Sequence, residues 1–484
     1  MSQPDVPSTP VAATNPNDSR TAYSDTTPPQ PHIQSDAGNL SKTTPFQIKP
    51  TRLNIPGESE THQLADGLVI EHTSGAMFKN LKHLEEIKLP NVAIGFNPSQ
   101  VLKTLKNGPD ALYDDETKKW TGWPSKSELS KQNIGERLVA GVFNKIGMAV
   151  ATCEGNDGAP RKWSAAFCDY PVPHDRCNRQ PDCVLMAAKD ADAEDAVVRT
   201  KKWRDIFALV EVKGGKVADA VSQLAQSARL LFGAQPDRNF VLGVLVVRDK
   251  VSLVVINRAG LFLSDFFNIH EHPERFVRIV AGLMFTDRQE LGFDKTIVYT
   301  PFGDIDGSQR HIEVNGDRYD IVEVLHTESV IRGRGTVCFK VKKDDQFFVI
   351  KNGWVDKTRE VQEPGILEQL HKCNIPNVTK IKSSQTSTVT TRDEYDKCVE
   401  LKYVRKRKAE EKPLKLDNRM QLRAVLEPFG KSILEFSSLA ELLHAFINIV
   451  EGEWPQKVLV TVVLTSCCYS SGGHAKGKLS ASRY

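Results

Sequence analysis

The sequence begins without a basic segment leading into an apolar stretch, so no secretory signal is legible in it. Its longest late apolar run, Val458 to Leu464, falls far short of the roughly 20 residues that cross a bilayer. The nine cysteines are scattered. Cys168, Cys177 and Cys183 come near one another, but not in the paired C-x-x-C spacing of a zinc site. Reduced thiols are therefore expected rather than a disulfide framework. Neither sign of charge dominates: 64 Lys and Arg face 61 Asp and Glu, for a net +3. That balance gives no whole-chain reason to expect nucleic acid or an acidic membrane as partner. No internal repeat is present. These absences lead to the expectation of a soluble, intracellular chain, cytoplasmic or nuclear, with no membrane partner.

What remains is a chain of 484 residues, 40% of them hydrophobic, enough for about two to four domains with sizeable cores. Residues 1–60 are rich in Pro, Ser, Thr, Asn and Asp and poor in large apolar side chains. Such a composition predicts a disordered tail, because too little surface can be buried to offset chain ordering. Leu64, Leu68 and Val69, then Met77, Leu81 and Leu84, fit helical turns. Ile134, Leu138, Val139, Val142 and Ile146 form an apolar helical stripe with Glu136 beside it.

Further on, Cys183 to Ala187, Ile206 to Val212, Phe240 to Val247 and Val251 to Asn257 read as strands. Val217 to Phe232 and Phe276 to Phe285 read as helices. This alternation predicts an α/β region. Residues 300–330 read as a connector, followed by β-rich sequence up to Ile350, a helix over Thr358 to Leu370, and another over Leu439 to Glu451. The chain as a whole is expected to be of the α+β class.

Two constellations carry chemistry. In the first, Pro181-Asp182 opens one strand and Glu211-Val212-Lys213 closes another. This resembles the PD-(D/E)xK nuclease pattern. Alternate strand residues share a face, so Glu211 and Lys213 project together, and Asp182 on a neighbouring strand can join them. Two carboxylates suit a hard cation such as Mg²⁺, and a lysine can orient the attacking water. Asp182 and Glu211 are thus the metal candidates, and the resemblance implies that Gln223 on the next helix and Glu136 on an earlier one extend the site. The triplet is not specific by itself, since Glu86-Ile87-Lys88 has the same form in a polar setting. A retained but inert scaffold is the competing reading.

In the second constellation, Gly333-Arg334-Gly335-Thr336-Val337-Cys338 carries the first two glycines of a kinase glycine-rich loop, with Cys338 at the third. Phe347-Phe348-Val349-Ile350-Lys351 looks like the strand whose lysine pairs the ATP phosphates. Glu363, in Glu363-Pro364-Gly365-Ile366-Leu367, is the expected partner of Lys351, with Glu360 in reserve. Leu426-Glu427-Pro428-Phe429-Gly430 resembles the hinge whose backbone takes adenine. Phosphoryl transfer needs these parts together: glycines close to phosphates, a fixed cation on them, and a carboxylate holding that cation.

Several phrases then resemble the fungal-type protein kinase family. They are Ala234-Gln235-Pro236-Asp237-Arg238-Asn239-Phe240-Val241, Pro273-Glu274-Arg275-Phe276-Val277-Arg278, Gly333-Arg334-Gly335-Thr336, Leu426-Glu427-Pro428-Phe429-Gly430 and Glu435-Phe436-Ser437-Ser438-Leu439. The resemblance runs from about Trp163 to Val450. It implies ATP- and Mg²⁺-dependent phosphorylation of protein Ser/Thr, with a protein substrate or interaction partner. It also implies a nuclease-like module ahead of the kinase small lobe.

The departure is at the far end. The catalytic base and the DFG metal ligand of this mechanism are aspartates, and no aspartate follows Asp417. Gly452-Glu453-Trp454-Pro455 leads instead into a tail rich in Ser, Val and Gly. A chain without catalysis and without a large lobe is the expectation. A nuclease or nucleic-acid-binding module and a non-catalytic interaction protein are the alternatives. The expected organisation is a tail over 1–60, a helical region over 61–160, the nuclease-like α/β module over 161–300, a kinase-like small lobe and hinge over 301–451, and a second tail over 452–484. Arg405-Lys406-Arg407-Lys408 reads as a solvated charge run, with nuclear import as the alternative.

Overall fold

The structure, a computed structural model, describes residue 73 and residues 75–107, 111–131, 133–174, 177–299, 310–400, 416–430 and 437–453; at 394, 399, 400 and 449–453 it describes the backbone alone. The expected tails, the turn at Leu64 to Val69, the basic run at Arg405 to Lys408 and the Glu435-Phe436 phrase lie outside the described residues. Two sheets organise the rest in a mixed α+β arrangement.

The first sheet has eight strands: β1 (Met77–Leu81), β4 (Arg161–Ser164), β5 (Cys183–Ala187), β6 (Ala208–Lys213), β7 (Val241–Val247), β8 (Lys250–Asn257), β9 (Gly260–Ser264) and β10 (Phe267–Asn268). A separate hairpin joins β2 (Tyr113–Asp114) to β3 (Lys119–Trp120). The path across the sheet is β1-β9-β8-β7-β6-β5-β4, with β10 on β8. Only β6 with β7 and β1 with β9 run parallel. The helix Val217–Ala234 makes the crossover between β6 and β7.

The central strands read as continuous apolar runs because both faces are covered. Val210, Val244, Leu253 and Val255 join one core with Phe143, Phe276 and Val280, from the helices Ile134–Cys153 and Pro273–Phe285. Leu209, Leu245, Val254 and Ile256 join the opposite core with Leu224, Ala228 and Phe232 of the helix Val217–Ala234.

Two expectations change here. Met77–Leu81 is a strand rather than a helical turn, since Phe78 and Leu81 fill the sheet core and Met77 and Phe78 pair with Leu261 and Phe262 of β9. The region 61–160, expected as a separate helical region, therefore supplies a strand and much of one core to this sheet.

The second sheet has seven strands in the order β11-β12-β13-β14-β15-β17-β16. They are β11 (Ile297–Tyr299), β12 (Arg310–Val314), β13 (Asp317–Thr327), β14 (Val337–Lys343), β15 (Gln346–Asp356), β16 (Lys380–Thr390) and β17 (Arg419–Glu427). The described part of the expected connector at 300–330 is thus mostly strand. Asn315-Gly316 turns β12 into β13 with both residues at positive φ, the backbone that a two-residue hairpin requires and that Asn-Gly favours. Ile312, Val314, Tyr319, Phe339, Phe348, Ile350 and Val425 fill this sheet's core.

The helix after β15 spans Glu363–Lys372 instead of starting at Thr358. Pro364 has no N–H to give and fits only the first turn. The Asp356 carboxylate holds the Thr358 N–H and hydroxyl in a turn before it. Leu367 and Leu370 seat this helix on Ala424 and Leu426. No described helix is long and apolar enough to cross a membrane.

Candidate nucleotide site and candidate carboxylate cluster

Lys351 lies at the middle of β15, between Cys338 of β14 and Ala424 of β17. Ile350 points into the sheet core, so Lys351 points to the opposite face, toward the helix Glu363–Lys372. Its Nζ donates to both carboxylate oxygens of Glu363, at 2.8 and 2.9 Å. The lysine side chain is 8% exposed and the glutamate 24%. Glu360, the reserve, sits exposed in the turn before the helix.

Nearby, His326 on β13 is held below its ordinary value by burial, with Glu328 opposing and Lys351 reinforcing that shift. One ammonium, one imidazole kept from protonating and the Glu328 carboxylate therefore act on one another where β13 passes into β14.

The hinge-like segment leaves β17 at Glu427, which pairs with Lys380 of β16. Beyond it Phe429 lies 6.3 Å from the Phe347 ring, and the Lys340 ammonium sits over both, 4.6 Å from Phe429 and 4.9 Å from Phe347. Lys340 holds the position that valine takes in the G-x-G-x-x-G-x-V pattern. The end of this face beside the hinge-like segment thus carries a cation where the pattern has an apolar residue.

Gly333 and Gly335 differ from the sequence-based expectation of free phosphate-covering glycines. Both are buried, and Ile331 before them is fully buried among Phe232, Ile256 and Leu261 of the first sheet's core. Gly335 has φ +51, and a Cβ on it would lie 2.5 Å from Cζ and 2.9 Å from Cδ of Arg258. Arg258 in turn donates to the Val330 carbonyl, accepts from the Gly333 N–H at 3.3 Å, and stacks 3.9 Å over the Phe232 ring. Sequence reading missed Arg258. It sits in a tight turn between β8 and β9, and nothing local marks it as a partner of a loop more than seventy residues away.

The second cluster forms where β5 meets β6. The Asp182 Oδ2 accepts from the Val212 N–H at 2.6 Å and from Lys213 Nζ at 2.7 Å. Lys213 Nζ also approaches Glu211 Oε2 at 3.5 Å. Strand alternation and the β5–β6 pairing bring the three together. Burial pushes the Glu211 carboxyl well above its ordinary value, and the charge of Asp182 adds to this. Burial pulls Lys213 down, but Glu211 and Asp182 together hold it above its usual value.

Glu136, on the first turn of its helix, is raised mainly by burial and also by Asp182. Its Oε2 is buried without a hydrogen-bond partner among the described residues. Gln223 is half-buried, and among the described residues no hydrogen bond joins it to the three. Among the described residues no group of three or more His, Cys, Asp or Glu is placed to hold a metal ion.

Residues 180–454 match a family model described as fungal protein kinase. No curated protein and no solved structure matches the chain.

Proposed function

The chain belongs to the fungal protein kinase family, and we propose that its second sheet, with the helix Glu363–Lys372, is a kinase-type nucleotide-binding lobe. The observation that carries this is the Lys351–Glu363 pair, a nearly buried lysine held by both oxygens of one carboxylate. A lysine so fixed presents its charge to phosphates without reorganising when they arrive. In this reading Lys351 meets the phosphates of ATP, Glu363 positions it, and the backbone at Glu427 takes the base. Gly333 and Gly335 contribute only if their loop leaves its present seat. Bound Mg²⁺ would neutralise charge on the phosphates. Among the described residues no group of three or more His, Cys, Asp or Glu is placed to hold it, so no step is derived through it.

We further propose that the polypeptide of these 484 residues binds nucleotide without transferring phosphate. The base and the metal ligand of the reaction are aspartates, and none follows Asp417. What such a chain can still do is associate. The helix Leu439–Glu453 leaves Leu439, Leu443, Phe446 and Ile447 exposed, which suits a protein partner.

Calorimetric titration with Mg-AMP-PNP tests the nucleotide site: binding is expected for the wild type and lost in Lys351→Ala. Equal binding by the two refutes the assignment. Labelled ATP with a generic protein substrate tests inactivity, and incorporation that disappears in Lys351→Ala refutes it.

A second reading rests on the convergence of Asp182, Glu211 and Lys213. We propose that the first sheet is a nuclease-like scaffold of PD-(D/E)xK type whose polar cluster is not catalytic. Mg²⁺-dependent cutting of DNA, abolished by Lys213→Ala, is the result that overturns this.

A further inference from the structure

Between β13 and β14 the chain leaves the second sheet at Glu328 and returns at Thr336. The mouth of this loop is pinched shut. Glu328 N–H donates to the Thr336 carbonyl at 3.0 Å, and Thr336 N–H donates to the Glu328 carboxylate at 2.8 Å. Beyond the pinch the loop runs into the first sheet's module. Ser329 lies close against Gly233, where a Cβ would come within 3.0 Å of it. Ile331 enters the core beside Phe232. Gly335 sits on the Arg258 guanidinium, and Gly333 donates to the Arg258 carbonyl. The far side is fastened too: Arg332 pairs with Asp417 at 2.9 Å, and the Arg334 carbonyl accepts from Trp354 N–H at 2.6 Å.

A glycine-rich loop serves a nucleotide by offering free backbone N–H groups to its phosphates. Here the N–H groups of Gly333 and Thr336 are both engaged, the second by a carboxylate. An acidic side chain thus stands in for phosphate on the loop's own donor. Burial lowers Arg258 to about 10, with Glu328 opposing that shift, and the same carboxylate opposes the lowering of His326, which Lys351 reinforces.

We propose that the segment Glu328–Thr336 is an autoinhibitory latch: docked in the first sheet's module it is withheld from the nucleotide, and nucleotide binding and docking exclude each other. Arg258 and Ile331 hold the latch, and Glu328 occupies the donor that a phosphate would take. The proposal rests on the nucleotide-site reading above. It adds a direction to that reading, because releasing the latch raises affinity.

The experiment uses the full 484-residue chain with Mg-AMP-PNP as probe and has two readouts. In hydrogen exchange followed by mass spectrometry, peptides covering 328–336 are expected to be protected without nucleotide and to lose protection at saturating probe. In calorimetry, Glu328→Ala is expected to bind about tenfold more tightly than wild type, the scale of one charge-assisted hydrogen bond plus relief of like-charge repulsion. The conservative Glu328→Gln, which keeps an acceptor but not the charge, is expected to fall between the two. A loop that exchanges freely without nucleotide, or that gains protection on binding, overturns the latch. So does Glu328→Ala binding no tighter than wild type while Lys351→Ala abolishes binding. If Lys351→Ala binds like wild type, or if neither wild type nor Glu328→Ala binds the probe, the nucleotide-site reading is what fails, and the latch falls with it.

Discussion

Replacing Glu363 by alanine should destabilise the second sheet through one identifiable cause. The substitution strands the Lys351 ammonium, whose side chain is 8% exposed and whose hydrogen bonds to this carboxylate measure 2.8 and 2.9 Å. Breaking one side of a fully buried pair costs about 3–5 kcal/mol, while a surface pair is worth about 0–1 kcal/mol. Glu363 is 24% exposed, so the expected loss lies between these limits, at about 2 kcal/mol. For a domain of this size each kcal/mol moves Tm by about 2–4 °C, so Glu363→Ala should melt about 4–8 °C lower than wild type. The double variant Lys351→Met/Glu363→Leu removes both charges and keeps volume, and it should recover more than half of that loss. Thermal unfolding of wild type, Lys351→Met, Glu363→Leu and the double variant measures the coupling directly. If Glu363→Ala melts within about 1 °C of wild type, or the double variant is as unstable as the sum of the singles, the pair is not the buried anchor described here.

Glu211→Gln should melt higher than wild type at pH 8, with the gap closing toward pH 4. The folded-state value of Glu211 is raised by burial first and then by Asp182, so wild-type stability falls as pH rises from about 4.3 through that raised value; a pH-independent gap, or one of opposite sign, contradicts this. Gly335→Ala should cost about 2–4 kcal/mol, combining left-handed backbone strain with overlap on buried Arg258. Gly353→Ala, where nothing lies within 4 Å, is the control and should change stability by less than about 1 kcal/mol in denaturant titration. A fragment of residues 180–454 alone should fail to unfold cooperatively, because it lacks Phe78, Phe143, Ile146 and Trp163 of the first sheet's core; a sharp calorimetric transition would refute that.

The parts legible in the sequence were those whose signal is local. The apolar runs at Cys183 to Ala187, Phe240 to Val247 and Val251 to Asn257 announce strands because both faces of that sheet are buried and no polar alternation interrupts them. The spacing from Lys351 to Glu363 could be read because the strand and the following helix carry their own patterns. Met77–Leu81 reads as a helical turn as readily as an edge strand because its two buried residues, Phe78 and Leu81, are three apart. The residues from Arg310 to Thr327 were misread although Asn315-Gly316 is a strong hairpin signal, because the flanking strands are short or half polar. The seat of the glycine-rich loop was not legible at all. Ile331 reads like any loop isoleucine until Phe232 and Arg258 are brought against it from far away in the chain.

The two sheets are joined by more than that loop, and this limits how the latch can open. Arg423 of β17 donates to Asp294 at 2.6 Å and to Thr296 at 2.5 Å, in the segment that leads from the helix Pro273–Phe285 into β11, and within its own sheet to the Glu313 carbonyl at 3.1 Å and to Asn352 at 2.8 Å. Gln421, two residues earlier on the same strand, reaches Asn239 at 3.2 Å. Separately, Tyr395 packs against Phe78, and Cys398 is buried in the same core. Separating the sheets as rigid bodies would strand a buried guanidinium together with its carboxylate, a loss of several kcal/mol before any apolar surface is counted. Peeling out residues 329–335 alone breaks the Glu328–Thr336 pinch, the Arg332–Asp417 pair and the Trp354–Arg334 bond, and exposes one isoleucine side chain worth about 1.5–3 kcal/mol, while Asp417 keeps Arg419 as its cation. The local route is the cheaper one, so nucleotide-driven change should be confined to the loop while the Arg423 network and the Tyr395 contact stay closed.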